Sequence, residues 1–254
     1  MLRDTWLIFR REMTAALRNP TWVLIGIMQP LLYLFLFGPL MVRAVQAQGL
    51  SEVDGWMLLT PALIAQLALF GSSFVGFGLL AEYRAGVVER FRVTPVSRVA
   101  LLLGKVLAGA LQAVVQAVLI IVLAALVFPL DAPVGGVLLS LVIVFLLAVS
   151  LASCSYVLAL TLKSEETFPA LLNAVLIPLL LLSGILLPIT AGQAPDWLYT
   201  VSRANPFRHV VDVERHSFAG DFSMDALFTG SVVVLVMAGL SLWWGTRTFQ
   251  RDNA

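Results

Sequence analysis

Residues 134–162 read VGGVLLSLVIVFLLAVSLASCSYVLALTL, a run of apolar and small residues that contains no charge. A helix of about 20 apolar residues is long enough to cross the hydrocarbon core of a bilayer. The composition of the chain agrees with this, since hydrophobic residues make up 60% of its 254 positions and charged residues 12%, against about 45–50% and about 25% in soluble domains. We therefore predict an all-α polytopic membrane protein.

Five further stretches on either side of this run have the length and hydropathy of a membrane span. The third and fourth of the resulting six spans are about thirty residues long, which predicts tilt or an interfacial turn. An even number of spans places both termini on the same side of the membrane. The predicted spans are Trp22 to Met41, Met57 to Ala81, Val99 to Phe128, Val134 to Leu162, Phe168 to Leu187 and Ala226 to Gly245.

Lysine and arginine are distributed unequally between the two sides of these spans. Twelve of the sixteen fall on the side of the termini, and the others are Arg43, Arg203, Arg208 and Arg215. Because basic residues are enriched in cytoplasmic loops, we predict cytoplasmic termini in the inner or plasma membrane. The charged hairpin 82–98 is then cytoplasmic, and the loop 188–225 is external.

The first twenty residues have the pattern of an amphipathic helix. Apolar residues recur at helical spacing, polar residues occupy most of the other face, and Pro20 ends the pattern. A helix lying on the inner leaflet fits, either as a simple anchor or also as a cytoplasmic lever. The apolar positions are Leu2, Trp6, Phe9, Met13 and Leu17, and the arginines of the polar face include Arg10, Arg11 and Arg18.

Ionisable residues are rare inside the predicted spans. No Asp, Glu, His or Arg lies in the middle of a span, and Lys105 is close enough to a span end for its amine to reach the interface. Carriers driven by an ion gradient usually need such groups at membrane depth. The energy for any transport is therefore expected to come from elsewhere.

The sequence predicts no catalytic site and no metal site. A phosphate-binding GxxxxGK[ST] loop is absent, because Gly104-Lys105 is followed by valine inside a span. An intramembrane serine protease would need a histidine at membrane depth, whereas His209 and His216 lie in the external loop. The spacing of these histidines with Asp212 and Glu214 matches no ligand pattern, and we expect a solvated interfacial helix there.

Uncharged polar residues within the spans admit two interpretations. Gln112 and Gln116 are four residues apart and share one face, and Gln29 and Gln66 could face the same interior. These side chains could line a path for an amphiphilic substrate, or they could form hydrogen bonds between helices. The candidate path residues are Gln29, Gln66, Phe70, Phe74, Gln112, Gln116 and Asn173.

Short motifs along nearly the whole chain resemble the integral-membrane subunit of type-2 ATP-binding-cassette (ABC) exporters, which include daunorubicin-type resistance permeases, nodulation-factor exporters and polysaccharide exporters. Their order along six spans makes the resemblance fairly specific. The motifs are Arg18-Asn-Pro20, Gln29-Pro30, Glu82-Tyr-Arg-Ala-Gly86, Glu89-Arg90, Thr94-Pro95, Gly104-Lys105, Pro178, Ser183-Gly184, Pro188, Pro195-Asp-Trp197 and Asn205-Pro206.

The resemblance implies a single transmembrane domain over residues 1–254 with a cytoplasmic coupling helix at 82–98. This helix would dock on a separate ATP-binding-cassette ATPase, and residues 1–20 would form the connecting helix, which touches the same ATPase through its inner-interface position. The implied ATPase contacts are Glu82, Arg84, Gly86, Glu89, Arg90 and Phe91, with Thr94 and Pro95 ending the coupling helix.

The resemblance also implies an external gate and a complex of two permeases with two ATPases. Short re-entrant helices would follow the fifth span, which Ser183-Gly184 with Pro178 and Pro188 could interrupt. Trp197, Tyr199 and Phe207 would lie at the outer interface. The second permease would be another copy of this chain or a similar protein. ATP and Mg²⁺ are expected on the ATPase, with no cofactor in this chain and no nucleic acid partner.

The class of substrate is predicted from the composition of the spans, which offer mostly Leu, Val, Ala and Phe. We predict export of a hydrophobic or amphiphilic molecule such as a drug, an antibiotic or a lipid. A polysaccharide or lipo-oligosaccharide exporter is the alternative within the family. A membrane scaffold that recruits a cytoplasmic partner without transport is the alternative of another class.

Overall fold

The computed structural model describes residues 1–19, 21–47, 49, 51–84, 97–186, 189–190 and 194–251. Within these residues the chain consists of helices and short connections, without a β-strand, which confirms the all-α prediction. Most of the predicted coupling helix lies outside the described residues, and so does Pro188.

The helices are numbered here in chain order. A π-helical turn at Tyr33–Phe37 joins the second helix to the third, so that Leu24–Gln46 forms one apolar rod. The helices are α1 Leu2–Arg18, α2 Thr21–Leu32, α3 Gly38–Gln46, α4 Glu52–Ser73, α5 Gly76–Arg84, α6 Arg98–Val127, α7 Val134–Leu162, α8 Thr167–Leu182, α9 Asp196–Ala204, α10 Pro206–Ala219 and α11 Met224–Arg251.

Among the described residues, five helical segments are long and apolar enough to cross a membrane: Leu24–Gln46, Glu52–Glu82, Arg98–Val127, Val134–Leu162 and Leu227–Gln250. The protein is therefore a multi-pass membrane protein. The fifth predicted span corresponds to α8, which has 16 residues and a length of about 24 Å, less than the roughly 30 Å of a hydrocarbon core.

The early end of α8 has a local cause. Ser183 follows the last helical residue, and Gly184 adopts a positive φ of 77°, a conformation that glycine tolerates at helix ends. Pro178 lies inside α8 without ending it. The interruption at Ser183-Gly184 is as predicted, but the helix stops five residues before the predicted end of the span.

The second predicted span, Met57 to Ala81, is longer than expected and is not continuous. The helix begins at Glu52, capped by Ser51 and Asp54, breaks at Phe74 and Val75, and resumes as α5. By contrast, α6 and α7 begin and end within one residue of the predicted bounds.

Helix α7 is the centre of the bundle and packs against α4, α5, α6, α10 and α11. Its small residues allow these close contacts, since Ala148, Ala152 and Ser153 are fully buried. Packing of small residues is a main source of helix association in membranes.

Helix α10 was expected to be a solvated interfacial helix, and this expectation is wrong. Its apolar positions recur at helical spacing, and Val210, Val213 and Phe218 are at most 1% exposed against α4, α7 and α11. Phe207, expected at the outer interface, is also buried. Amphipathic spacing alone does not reveal whether a helix face meets water, lipid or protein, which is why the sequence misled here.

Candidate functional site: the attachments of α5

Helix α5 leads directly into the polar segment 85–96, and three groups hold it to the bundle. The first holds its start, where Ser155 of α7 accepts a hydrogen bond from the Gly76 amide (2.9 Å) and donates one to the Ser73 carbonyl (2.5 Å). Ser155 therefore satisfies backbone groups at the helix break, which would be costly to leave unpaired in a buried site.

Gly76 is required for this contact. A Cβ at this position would lie 2.5 Å from the Ser155 carbonyl oxygen and 2.7 Å from its Oγ. The absence of a side chain thus lets α5 approach the backbone of α7.

The second attachment is a buried cluster of one cation and two carboxylates. The Lys105 amine of α6 lies 2.8 Å from Glu82 Oε2 of α5 and 3.2 Å from Glu12 Oε1 of α1. The Lys105 side chain is 5% exposed, whereas the two carboxylates are about one quarter exposed. One lysine therefore joins the N-terminal helix, the helix that precedes the polar segment, and the third span.

The predicted reach of the Lys105 amine to the interface stays a prediction. Lys105 lies seven residues inside α6, about 10 Å from the helix start, and is held there by carboxylates of two other helices. Removing one partner of a buried ion pair typically costs 3–5 kcal/mol, because the remaining charge is left uncompensated. The cluster therefore holds α1, α5 and α6 in one arrangement.

The third attachment is on the surface at the end of α5. Arg84 forms an ion pair of 2.8 Å with Glu165, in the turn that follows α7, and its side chain is 61% exposed. Exposed pairs of this kind contribute about 0–1 kcal/mol. This pair therefore helps to orient α5 and adds little to the stability of the protein.

Helix α1 lies directly on α6, next to the Lys105 cluster. Ile8 is buried there, and a Cβ at Gly104 would lie 2.7 Å from its Cγ2 atom and 3.0 Å from the Thr5 carbonyl oxygen. Gly104 therefore permits the close approach of α1. The amphipathic helix is packed on the bundle through one face and leaves the arginine face outside.

The predicted contacts of the connecting helix lie together on this outer face. Arg10, Arg11 and Arg18 are exposed and share one surface of α1 with Leu7 and Thr14. Contact of these arginines with an ATPase stays a prediction.

The predicted coupling-helix residues are divided between two environments. Glu82 and Arg84 form the ion pairs described above, so both side chains have partners within this chain. Their contact with an ATPase stays a prediction. The remaining residues, Gly86, Glu89, Arg90, Phe91, Thr94 and Pro95, lie outside the described part of the chain.

The candidate path residues are not gathered in one place. Gln66 is 1% exposed and its amide has no hydrogen-bond partner among the described residues, whereas Gln29 is exposed on α2. A path lined by these residues stays a prediction. The Asn173 amide donates to the Pro169 carbonyl of its own helix at 3.0 Å. Phe70, Phe74 and Gln112 are partly buried, and the first two pack against the core.

Gln116 lies between the first two spans. A Cβ on Gly26 of α2 would lie 2.5 Å from the Gln116 Nε2 atom, and one on Gly71 of α4 would lie 3.9 Å from its Oε1 atom. The side chain fills the space that these glycines leave, which is typical of packing between helices.

The predicted external gate is held by an arginine. The Arg215 guanidinium of α10 donates to the Gly184 carbonyl at 2.9 Å and to the Leu58 carbonyl of α4 at 3.2 Å. Ser183 is buried and its hydroxyl donates to the Leu180 carbonyl at 2.6 Å. The Leu180 and Gly184 carbonyls at the end of α8 thus accept hydrogen bonds from protein groups. A helix that ends inside a membrane bundle requires such partners, because lipid offers none.

Next to Arg215, Glu214 is 1% exposed and accepts a hydrogen bond of 2.5 Å from Ser140 of α7. Burial raises the pKa of Glu214 to about 8, although the hydrogen bond acts in the opposite direction. The predicted absence of a metal site is not contradicted, since the described residues contain no group of three or more potential ligands.

Sequence reasoning missed Glu12, Ser155 and Glu165. A signal existed for Glu12, because a lysine inside an apolar span needs an acidic partner. Glu12 is the carboxylate in the middle of the neighbouring amphipathic helix. Ser155 gave no comparable signal, since its partners are about eighty residues away in the chain.

Comparison with known proteins finds transport permeases that match most of this chain. Relatives named transport permease ycf38 are 25% identical over 219 residues in Cyanophora paradoxa, covering 86% of this chain and 75% of that protein, and 26% identical over 228 residues in Porphyra purpurea, covering 89% and 76%. The probable multidrug ABC transporter permease YbhR of Escherichia coli is 24% identical over 188 residues, covering 73% of this chain and 50% of that protein.

The family model described as ABC-2 type transporter matches residues 3–219. The match extends from α1 through α10 and so includes every attachment of α5. This chain belongs to the ABC-2 type transporter family, as the membrane subunit of an ABC transporter.

Proposed function

We propose that this protein is the permease subunit of an ABC exporter and that α5 transmits motion from an ATPase to the spans. The observation that carries the proposal is the buried Lys105 cluster, which joins the helix preceding the polar segment to α1 and α6. A movement of that segment would pull on Glu82 and, through Lys105, on both of the other helices. The family supplies the reason to expect an ATPase as the source of that movement.

The partner is a cytoplasmic ATP-binding-cassette ATPase that carries ATP and Mg²⁺. Its docking surfaces are residues 82–98 and the arginine face of α1. Each surface belongs to a segment whose glutamate, Glu82 or Glu12, contacts Lys105. Two ATPases and two permeases form the complex, and the second permease is either another copy of this chain or a similar one. ATP hydrolysis belongs to the partner, not to this chain.

The substrate is a hydrophobic or amphiphilic molecule. The spans offer apolar side chains with few uncharged polar groups, and the relative YbhR is named a multidrug ABC transporter permease. A polysaccharide exporter is the alternative within the family. The two are distinguished by whether an amphiphilic dye is carried.

A total of six crossings, with both termini in the cytoplasm, explains where the two ends of α8 lie in the bundle. Glu165 lies at the end of the bundle where it meets Arg84, whereas Asn205 contacts the carbonyl end of α8 at Leu179, and α10 meets the start of α7 through Glu214 and Ser140. The chain must travel the length of the bundle between these points. We therefore count α8 with the segment after it as a crossing, the fifth in chain order, which brings the total to six.

The test of the proposal is a change at Lys105. The complex is purified in mild detergent and reconstituted in vesicles, and the stoichiometry, ATP turnover and ATP-dependent accumulation of ethidium are measured on one preparation. In Lys105→Gln we expect the ATPase to remain bound but the stimulation of ATP turnover by the permease to fall at least about five-fold, the lower range of coupling energies between sites. Dye accumulation should fall with it.

Lys163→Gln is the matched control, since it removes the only other lysine of the chain, outside the cluster. The control should keep wild-type turnover and accumulation. Turnover unchanged in Lys105→Gln would contradict transmission through the cluster, whereas recovery of the wild type without any ATPase would contradict the exporter and favour a scaffold. ATP turnover without dye accumulation in the wild type would favour the polysaccharide alternative.

A further inference from the structure

A cavity of about 310 Å³ lies between α9, α10 and the start of α11. It is at the end of the bundle opposite the Lys105 cluster, because α10 packs on the first turns of α7 while Glu165 follows its last turn. The volume is at the lower end of the range for small-molecule sites, roughly 300–1,000 Å³. Its ionisable and aromatic lining residues are Tyr199, Arg203, Arg208, His209, Asp212 and His216.

Arg208 is held in a fixed orientation at this cavity. Its guanidinium donates to the Ile189 carbonyl at 3.0 Å and to the Ser202 hydroxyl, and lies 4.9 Å above the centre of the Tyr199 ring. Its distance to Asp212 Oδ2 is 3.7 Å, longer than a close ion pair. A guanidinium that is oriented in advance loses little entropy on binding an anion.

A second guanidinium, that of Arg203, adds to the positive character of the cavity. The Arg203 side chain is exposed and has no hydrogen bond or ion pair to another described residue. The His209 ring donates from Nε2 to the Arg203 carbonyl at 3.1 Å, and His216 Nδ1 donates to the Asp212 carbonyl at 2.7 Å. Two guanidiniums thus face a cavity whose lining includes one carboxylate, which favours an anionic ligand.

Exposed aromatic residues place the mouth of this cavity beside lipid. Trp197 of α9 is 68% exposed, and Phe228, next to the lining residue Thr229 on α11, is 69% exposed. Aromatic residues are enriched where a membrane protein meets the headgroup region. A ligand entering from the bilayer surface would therefore present its headgroup to the arginines.

We propose that this cavity binds a phosphate group, supplied by the headgroup of a membrane phospholipid. The planar fork of arginine matches two phosphate oxygens at once, and Arg203 and Arg208 can approach the same anion from α9 and α10. A free phosphate compound offers the same chemistry and is separated from the lipid by the experiment. The proposal is independent of the transport function, since binding requires neither ATP nor an ATPase.

The test compares two lipids that differ in the phosphate group. The purified protein in detergent is mixed with equal amounts of phosphatidylglycerol and diacylglycerol of the same acyl chains, and the bound lipid is counted by native mass spectrometry. The wild type should retain phosphatidylglycerol preferentially. Arg203→Gln should weaken this preference about tenfold, as expected for loss of a charge-assisted contact, and the double change Arg203→Gln with Arg208→Gln should abolish it.

Arg43→Gln is the matched control, since Arg43 is an exposed arginine on α3 outside this cavity. It should keep the wild-type preference, and melting curves will show that all variants are folded. Displacement of phosphatidylglycerol by inorganic phosphate would assign the site to free phosphate as well as lipid, and no displacement would assign it to the lipid. Equal retention of both lipids by the wild type, or an unchanged preference in the two cavity variants, would overturn the proposal.

Discussion

At the scale of single residues, two glycines of α5 that look equivalent in the sequence have different surroundings. A Cβ on Gly76 would meet Ser155 at 2.5 Å, whereas one on Gly78 would have nothing within 4 Å in the described structure. Because the contact of Gly76 is with backbone, Gly76→Ala should lower the free energy of unfolding by about 1–3 kcal/mol. Gly78→Ala, the control, should be neutral or stabilising by up to about 1 kcal/mol, since alanine favours a helix. Melting temperatures in detergent measure both, and equal effects would show that the approach to Ser155 does not limit the fold.

At the scale of elements, the sequence predicted those helices whose ends are marked locally. The bounds of α7 follow from Pro133 and Lys163, which flank an uncharged run. The break before α5 was missed because Ser155, which supports it, is distant in sequence. The burial of α10 was missed because its charged residues suggested solvent, although Glu214 is enclosed by the bundle. Local pattern thus predicts the helices, while partners from other helices decide where they bend and what they bury.

The burial of α10 has a consequence for the pH dependence of stability. The pKa of Glu214 is raised from 4.5 to about 8, so the folded state holds a proton that the unfolded state releases, and stability falls as pH rises between these values. Glu214→Gln should flatten this fall and raise the melting temperature at pH 8.5 by at least about 3 °C. Asp131→Asn, which changes an exposed carboxylate at the same end, is the control. Parallel curves for the wild type and Glu214→Gln between pH 5 and 9 would contradict the burial of a protonated carboxyl.

At the scale of the whole molecule, the number of crossings decides which attachments face the cytoplasm. The composition predicted a multi-pass protein, but it could not decide the role of α8, whose length depends on Gly184 and on the carbonyl contacts of Arg215.

The number of crossings can be measured by labelling single cysteines. The one cysteine of the chain, Cys154, is first replaced by serine so that single cysteines can be introduced. If α8 and the segment after it cross the membrane, Glu165→Cys and Trp197→Cys lie on opposite sides, because basic residues keep the end near Arg84 in the cytoplasm. A membrane-impermeant maleimide should label Trp197→Cys and Asp131→Cys in intact cells, and Glu165→Cys and Arg18→Cys only after permeabilisation. Labelling of Glu165→Cys and Trp197→Cys from the same side would instead show that α8 does not cross the membrane. The chain would then have five crossings, and its C-terminus would lie on the side opposite the N-terminus and the Lys105 cluster.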